Sequence, residues 1–434
     1  MRGVSIGVLG VLVGVLTWAV DAGTPTTSAA PPTRSDSVRE RADHLICPLA
    51  EFIRSDTQIA LLAARGGSVD LRRVSGGEWS SYRKVDLGDA GGWIGDVPSG
   101  SGVLMSESGA GWSGAGMVNT APGSKSTWMC GESSDMLMAL GGSTLEEDRL
   151  DLILYNPYIW DSTSRVVIIS ELGEDTPAGL REVYVPAGKT VKVSLDEPLR
   201  LRRFLGVHVE SSPGRVAFLL QQAGNQETAI IEGSIPHTEW WLPIPHLEQT
   251  ETHLLVASPS DAPFSYRLDL MTETGPVYGF VEDDLLPGQL IAAPLSDLPA
   301  GVTGIRVSGT VGLVAALRIE SDGLLAIGPG ASGTSRRWLL PGAGGDGKSR
   351  HLAWLLNPSI LPVSATVSAA AEGAFSFQIT IPPESVLAFD LDLLSGLAEN
   401  LPGYLVEAEE EIAVVWTSQT EDGAASYSSG APVE

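Results

Sequence analysis

Leu152-Ile153-Leu154-Tyr155-Asn156-Pro157 is an apolar run cut off by Asn-Pro. It returns as Leu254-Leu255-Val256-Ala257-Ser258-Pro259 and again as Leu352-Ala353-Trp354-Leu355-Leu356-Asn357-Pro358. Short apolar runs bounded by turn residues read as buried strands. Proline stops them because it has no N–H for a ladder, and Asn or Ser side chains favour the turn. The prolines stand 102 and 99 residues apart, which sets a module length.

Around each run the same order of signals recurs. A second strand follows at Val166–Ile169, Tyr266–Leu270 and Ala365–Val367, then a glycine turn at Gly173, Gly275 and Gly373. A proline-led turn comes next, at Val185-Pro186-Ala187-Gly188, Leu286-Pro287-Gly288 and Pro382-Pro383, before a further strand and a closing pair. Matched order and spacing mark an internal repeat. Roughly seven strands per copy with regular turn signals predict an all-β chain of tandem, immunoglobulin-like antiparallel β-sandwich modules. Two propeller blades per copy is the architecture left open beside it.

The expected organisation is a signal or anchor helix over 1–22, a linker over 23–44 and a divergent N-terminal β module over 45–130. Repeat one would span 131–245, repeat two 246–343 and repeat three 344–434. Met1-Arg2 followed by an uncharged, mostly apolar run to Val20 has the character of an export segment. It also reaches the lower length limit of a membrane span. Cleaved signal and retained anchor both stay open; either puts the remainder outside the cytoplasm, with membrane contact only through this segment. The Thr/Ser/Ala/Pro stretch from Ala22 has no core-forming pattern. Ser37–Ile46, free of Gly and Pro, is expected to form a short helix.

The chain has 434 residues, 43% hydrophobic and 18% charged, which is material for several packed cores. Its 27 basic and 53 acidic residues leave a net charge of −26. Such a surface repels phosphate backbones, so no nucleic-acid partner is expected. Two cysteines, Cys47 and Cys130, in an exported chain suggest one disulfide. Closing so long a loop is worth roughly 4–5 kcal/mol in the chain-entropy model. No Cys/His cluster suggests a metal, and no cofactor is expected.

Tryptophans recur between copies, at Trp128, at Trp240-Trp241 and at Trp338, with Met136–Leu140 as an added stretch after the first. Aromatics at a repeating position usually anchor a core or a module interface. The sharper reading is an exposed sugar-stacking platform. Gly342-Ala343-Gly344-Gly345-Asp346-Gly347-Lys348-Ser349 matches a phosphate-binding loop letter for letter. Such a loop needs a helix beginning at Lys-Ser, whereas Arg350–Leu356 reads as a repeat strand; this is a hairpin loop. The six histidines form no metal-binding or catalytic pair in sequence and read as ordinary surface or hydrogen-bonded residues. The acidic triplets Glu146-Glu147-Asp148, Glu282-Asp283-Asp284 and Glu409-Glu410-Glu411 read as solvated turns and loops. A carboxylate pair for glycoside hydrolysis is the sharper alternative.

The strand plus Asn-Pro, the Val185-Pro186-Ala187-Gly188 turn and the Cys47/Cys130 placement resemble a family of exported actinobacterial proteins of unknown function. The resemblance covers residues 45–434. It implies envelope association and carries over no catalytic residue. The expectation is a non-enzymatic, extracytoplasmic envelope scaffold or accessory, secreted or anchored, that contacts an envelope protein. A cell-wall or extracellular glycan-binding protein using Trp240 and Trp241 is the alternative, and a carboxylate-dependent hydrolase the third reading. The residues singled out are Cys47 and Cys130; Trp128, Trp240, Trp241 and Trp338; and the turn residues Asn156, Pro157, Ser258, Pro259, Asn357 and Pro358.

Overall fold

The apolar runs are strands, and every sheet they form is antiparallel. The computed structural model describes residues 44–433 apart from 48–56, 76–77, 98–102, 108–110, 122–123, 225–227, 246–249, 322–323, 344–348, 372–374, 396–400 and 421–422. The export segment over 1–22 and the linker up to residue 43 lie outside the described residues. Of the short helix expected over Ser37–Ile46, residues 37–43 lie outside the described residues, and its last three residues belong instead to a strand, His44–Cys47, paired with Val103–Glu107. No helix among the described residues is long and apolar enough to cross a membrane.

Four modules share one topology. In the N-terminal module the strands are His44–Cys47, Thr57–Ala63, Gly67–Ser75, Glu78–Leu87, Gly92–Val97, Val103–Glu107, Trp112–Ala121 and Ser124–Met129. One sheet orders them first-sixth-third-fourth and the other fifth-second-seventh-eighth. The first repeat reproduces both orders. Met136–Gly142, Leu205–Ser211, Ser162–Ser170 and the split fourth strand (Gly173–Asp175, Val183–Val185) make one sheet. Thr190–Ser194, Arg149–Tyr155, Ala217–Ala223 and Thr228–Glu232 make the other.

In the second and third repeats the sixth and seventh strands fuse into one long strand, Val302–Ser321 and Gly403–Thr420. Its first half pairs with the first and third strands, its second half with the second and eighth. A strand that bends from one sheet into the other makes a corner between them. Eight strands in this order replace the expected seven, and they differ from the ABED/CFG arrangement of a constant-type immunoglobulin domain.

The pairing also moves the module boundaries. His237–Pro243 is the first strand of the second repeat, paired with Gly304–Leu313, and Ser335–Pro341 is the first strand of the third. The expected starts at 246 and 344 fall after these strands. Met136–Gly142 is their counterpart in the first repeat rather than an added stretch. Trp128, on an eighth strand, therefore does not correspond to Trp240 or Trp338 on first strands.

Just past each eighth strand the chain turns back onto its own first strand. Gly131 pairs with Ile46, Ser234 with Met138, Ala331 with Trp241 and Ala431 with Leu339. The Cys47–Cys130 disulfide is covalent reinforcement of this closure in the N-terminal module.

Both faces of most sheets are apolar, and both are used. In the first repeat Leu150, Leu152 and Leu154 face the module's own core with Val166, Ile168 and Val207. Ile153 packs into the N-terminal module's core and Tyr155 packs against Ile46. Met138, Leu140 and Ile169, on the first repeat's other outer face, join the core of the second. The second meets the third where Gly304 lies against Leu356 and Val386. The third returns to the N-terminal module, with Leu339, Ala370 and Leu405 packed on Leu62. The four modules thus close a ring, and its inner wall is the four eighth strands in cyclic contact. Each Leu so buried is worth about 1.5–3 kcal/mol against exposure.

Candidate functional site

The Asn-Pro turn is a staple for the loop it precedes. Asn156 is fully buried; its Nδ2 donates to the Trp160 carbonyl at 2.8 Å and to that of Val185, in the fourth strand, at 3.0 Å. Its Oδ1 accepts the Tyr158 N–H at 3.0 Å. Asn357 repeats this with Leu361 (2.8 Å), Ile381 (3.2 Å) and the Ser359 N–H (2.8 Å). Ser258 is too short to span the same gap. Its Oγ donates instead to Gly312, in the bend between the sheets, at 2.7 Å and accepts the Ser260 N–H at 3.2 Å. Pro157, Pro259 and Pro358 follow these residues as strand stops, so the motif is structural in all three copies.

What the staple displays differs between copies. In the first repeat the loop carries Tyr158, Ile159, Trp160 and Asp161; in the second Ser260, Asp261 and Ala262; in the third Ser359, Ile360 and Leu361. Trp160 is 46% exposed, whereas Trp128, Trp240, Trp241, Trp338, Trp354 and Trp416 are buried and Trp93 and Trp112 half-buried. The Tyr158 ring lies parallel to the indole, 5.7 Å between centroids and 1° between planes. The Tyr158 hydroxyl is bonded to Ser133 Oγ at 2.5 Å. Next in the loop, Asp161 Oδ2 accepts the Tyr184 hydroxyl at 2.5 Å and Oδ1 accepts the Ala187 N–H at 2.9 Å. The phenol, and secondarily that N–H, hold the Asp161 carboxyl below the usual carboxylate range. The same bond raises the Tyr184 phenol.

The tryptophans expected to form a platform are buried. Trp240 and Trp338 occupy equivalent places on first strands, and their Nε1 atoms donate to Leu313 (2.7 Å) and Ile412 (2.9 Å). Trp241 faces outward from its sheet but is covered, with the Arg306 guanidinium 5.0 Å from its ring centroid. Trp128 lies over Gly116, where a Cβ would fall 2.2 Å from the indole. All four are core or interface anchors, and the exposed position a sugar platform needs belongs to none of them.

Glu146-Glu147-Asp148 lies in a turn with both glutamates exposed, as expected, whereas the other two triplets lie on strands with some of their carboxylates paired. Glu282-Asp283-Asp284 lies within the fourth strand of the second repeat, not in a loop, beside an open cleft of about 560 Å³ shared with Tyr266 and Arg267. Glu282 pairs with Arg267 at 3.3 Å, and Asp284 accepts the Ser265 hydroxyl at 2.7 Å. Glu410 pairs with Arg336 at 2.8 Å and Glu411 accepts from Thr334 at 2.9 Å, both on the long strand Gly403–Thr420. Among the described residues no group of three His, Cys, Asp or Glu could hold a metal ion. His208, His253 and His351 are buried in strands rather than at the surface. Burial depresses the first two, which favours their neutral form. Of the phosphate-loop look-alike, residues 344–348 lie outside the described residues; the strand Arg350–Asn357 stands where the helix would have to begin.

Sequence reasoning passed over Trp160 because the Asn-Pro pattern drew attention to what the loops share. Setting the three loops side by side would have isolated it, since Tyr158-Ile159-Trp160-Asp161 is the aromatic member.

Comparison with known families adds one finding. A family model described as a family of unknown function (DUF5719) matches residues 107–326, just over half of the chain. The match runs from the sixth strand of the N-terminal module to the eighth strand of the second repeat. No curated protein matches.

Proposed function

The chain belongs to this family of unknown function, and from its geometry we propose a non-enzymatic, extracytoplasmic scaffold or accessory protein of the cell envelope. One observation carries this reading. The outer sheet faces, which a flexible string of modules would leave free, are consumed in joining each module to the next and the last to the first. What remains outside is a rim of edge strands and short loops held in fixed relative positions, the property of a frame. The modules serve as sandwich units in the broad immunoglobulin-like sense, two facing antiparallel sheets about one core. The Cys47–Cys130 disulfide supports an oxidising compartment, and the apolar start of the chain supports export, by a cleaved signal or a retained anchor.

The test is a periplasm-dependent alkaline phosphatase reporter fused after Glu434, with fractionation of the cells. Activity of the reporter in the envelope or medium is expected. A silent reporter with the chain in the cytoplasm would sink the reading, and so would turnover of a glycan by the purified protein. A second reading, a glycan-binding protein of the envelope, is favoured by the exposed Trp160 beside Asp161.

A further inference from the structure

We propose that the first-repeat loop Tyr158–Asp161 binds a neutral glycan, with one pyranose ring stacked on Trp160 and its hydroxyls donating to Asp161. This rests on the second reading above and names its site and ligand class.

Four features of the loop point to a sugar. The indole is exposed with the Tyr158 ring parallel to it, and the Asn156 bond to the Trp160 carbonyl holds the backbone that carries it. An aromatic face on a held backbone loses less freedom on binding, which is the general advantage of a preorganised site. An aromatic ring with a polar edge suits a ligand that is apolar on one face and hydroxylated at its rim. Asp161 is the next residue of the loop, with its carboxylate held by the Tyr184 hydroxyl and the Ala187 N–H. It uses one bond to each oxygen, to Tyr184 and Ala187, and an ionised carboxylate has about four acceptor positions. Acceptors of this kind, on a chain of net charge −26, select donors and repel anionic polymers. Hydroxyls of an uncharged sugar meet both requirements.

The repeats supply a control within the molecule. The third repeat holds the same stapled backbone with Leu361 where the first has Trp160, both accepting from the buried Asn. Trp160→Leu therefore places a residue that this loop geometry already carries.

The experiment is native affinity electrophoresis of the purified, oxidised full chain through gels containing amylopectin, laminarin, galactomannan or arabinogalactan, with alginate as the anionic comparison. Retardation by at least one neutral polymer and none by alginate is expected. Trp160→Leu should weaken that retardation at least about tenfold, as loss of a central aromatic anchor does, with an unchanged melting temperature. Asp161→Asn, which keeps one acceptor, should weaken it less. Absence of retardation by all four neutral polymers, equal retardation by alginate, or wild-type retardation of Trp160→Leu would each overturn the proposal. If Trp160→Leu lowers the melting temperature, Asp161→Asn decides, and its wild-type retardation overturns the proposal. Trp160-dependent retention on a phenyl matrix without polymer binding would assign the loop to a protein partner instead. These outcomes are read in vitro, so they stand apart from the export reporter.

Discussion

Asn357 and Asn156 each satisfy buried carbonyls from two different segments, which the following proline, lacking an N–H, cannot do. Removing the side chain leaves those carbonyls without a donor and costs their desolvation, about 2–4 kcal/mol for the pair. Asn357→Ala should lower the denaturation midpoint accordingly, while Asn357→Ser, the residue of the second repeat, should fall between Ala and wild type. Glu232 is the residue with a pH signature. It ends the eighth strand of the first repeat, where burial pushes its carboxyl up to about 7 despite the Met129 N–H that it accepts. Its folded pKa lies above the unfolded one of about 4.5. Its contribution to stability is therefore full below pH 4.5 and is lost as pH rises through about 7. Glu232→Gln stays neutral and should be more stable than wild type at pH 8 by roughly 2–3 kcal/mol, with no advantage at pH 4.5. Urea midpoints at the two pH values check this. His208, His237 and His253, depressed by burial, act in the opposite sense. Their contribution is present above about 6.5 and fades as pH falls, and it is common to both proteins, so the difference isolates Glu232.

A first strand is held on both edges: by the sixth strand, and by the chain returning just past the eighth. In the second and third repeats it is also pinned by one indole, Trp240 or Trp338, bonded to the carbonyl at the bend of the long strand. Trp240→Phe keeps most of the apolar volume and strands the Leu313 carbonyl, so a loss of about 1–3 kcal/mol is expected. The double substitution with Trp338→Phe should be close to additive, because the two bonds lie in separate modules; thermal unfolding of the single and double variants measures it. The second strands were legible in the sequence, because Leu152–Tyr155 and Leu352–Leu356 are apolar at every position and a proline stops each. That continuous pattern belongs to strands buried on both faces. First strands were not legible as such. His237-Thr238-Glu239 begins polar, and Trp240 and Trp338 read as the end of one copy when sheet pairing makes them the start of the next.

At the scale of the molecule, the inner wall is drawn so tight that only glycine fits at one crossing. A Cβ on Gly328, in the second repeat, would stand 2.0 Å from the Tyr427 carbonyl of the third. The clash is with backbone and cannot be relieved by a rotamer, so Gly328→Ala should part the two eighth strands. A fall in melting temperature of many degrees, or no folded protein, is the expected result; an unchanged melting curve would show that this contact does not hold the ring. Because every module shares apolar faces with two others, wild-type calorimetry should give one transition for all four, with calorimetric and van't Hoff enthalpies in agreement. Independent modules would give several.

The sequence by itself determined that the chain is all-β, that it repeats at about 100 residues and where its strands stop, and it pointed to the pairing of its two cysteines. These follow from local rules: apolar runs, proline and turn chemistry at fixed offsets, and a count of two. The number of strands in a module, its true boundaries, the burial of Trp240, Trp241 and Trp338, the exposure of Trp160 and the joining of the last module to the first were decided only by tertiary structure. An apolar residue such as Leu62 or Ile153 announces that it will be buried, but not by which face, because its partner lies in another module. The ring exists because those second faces found each other.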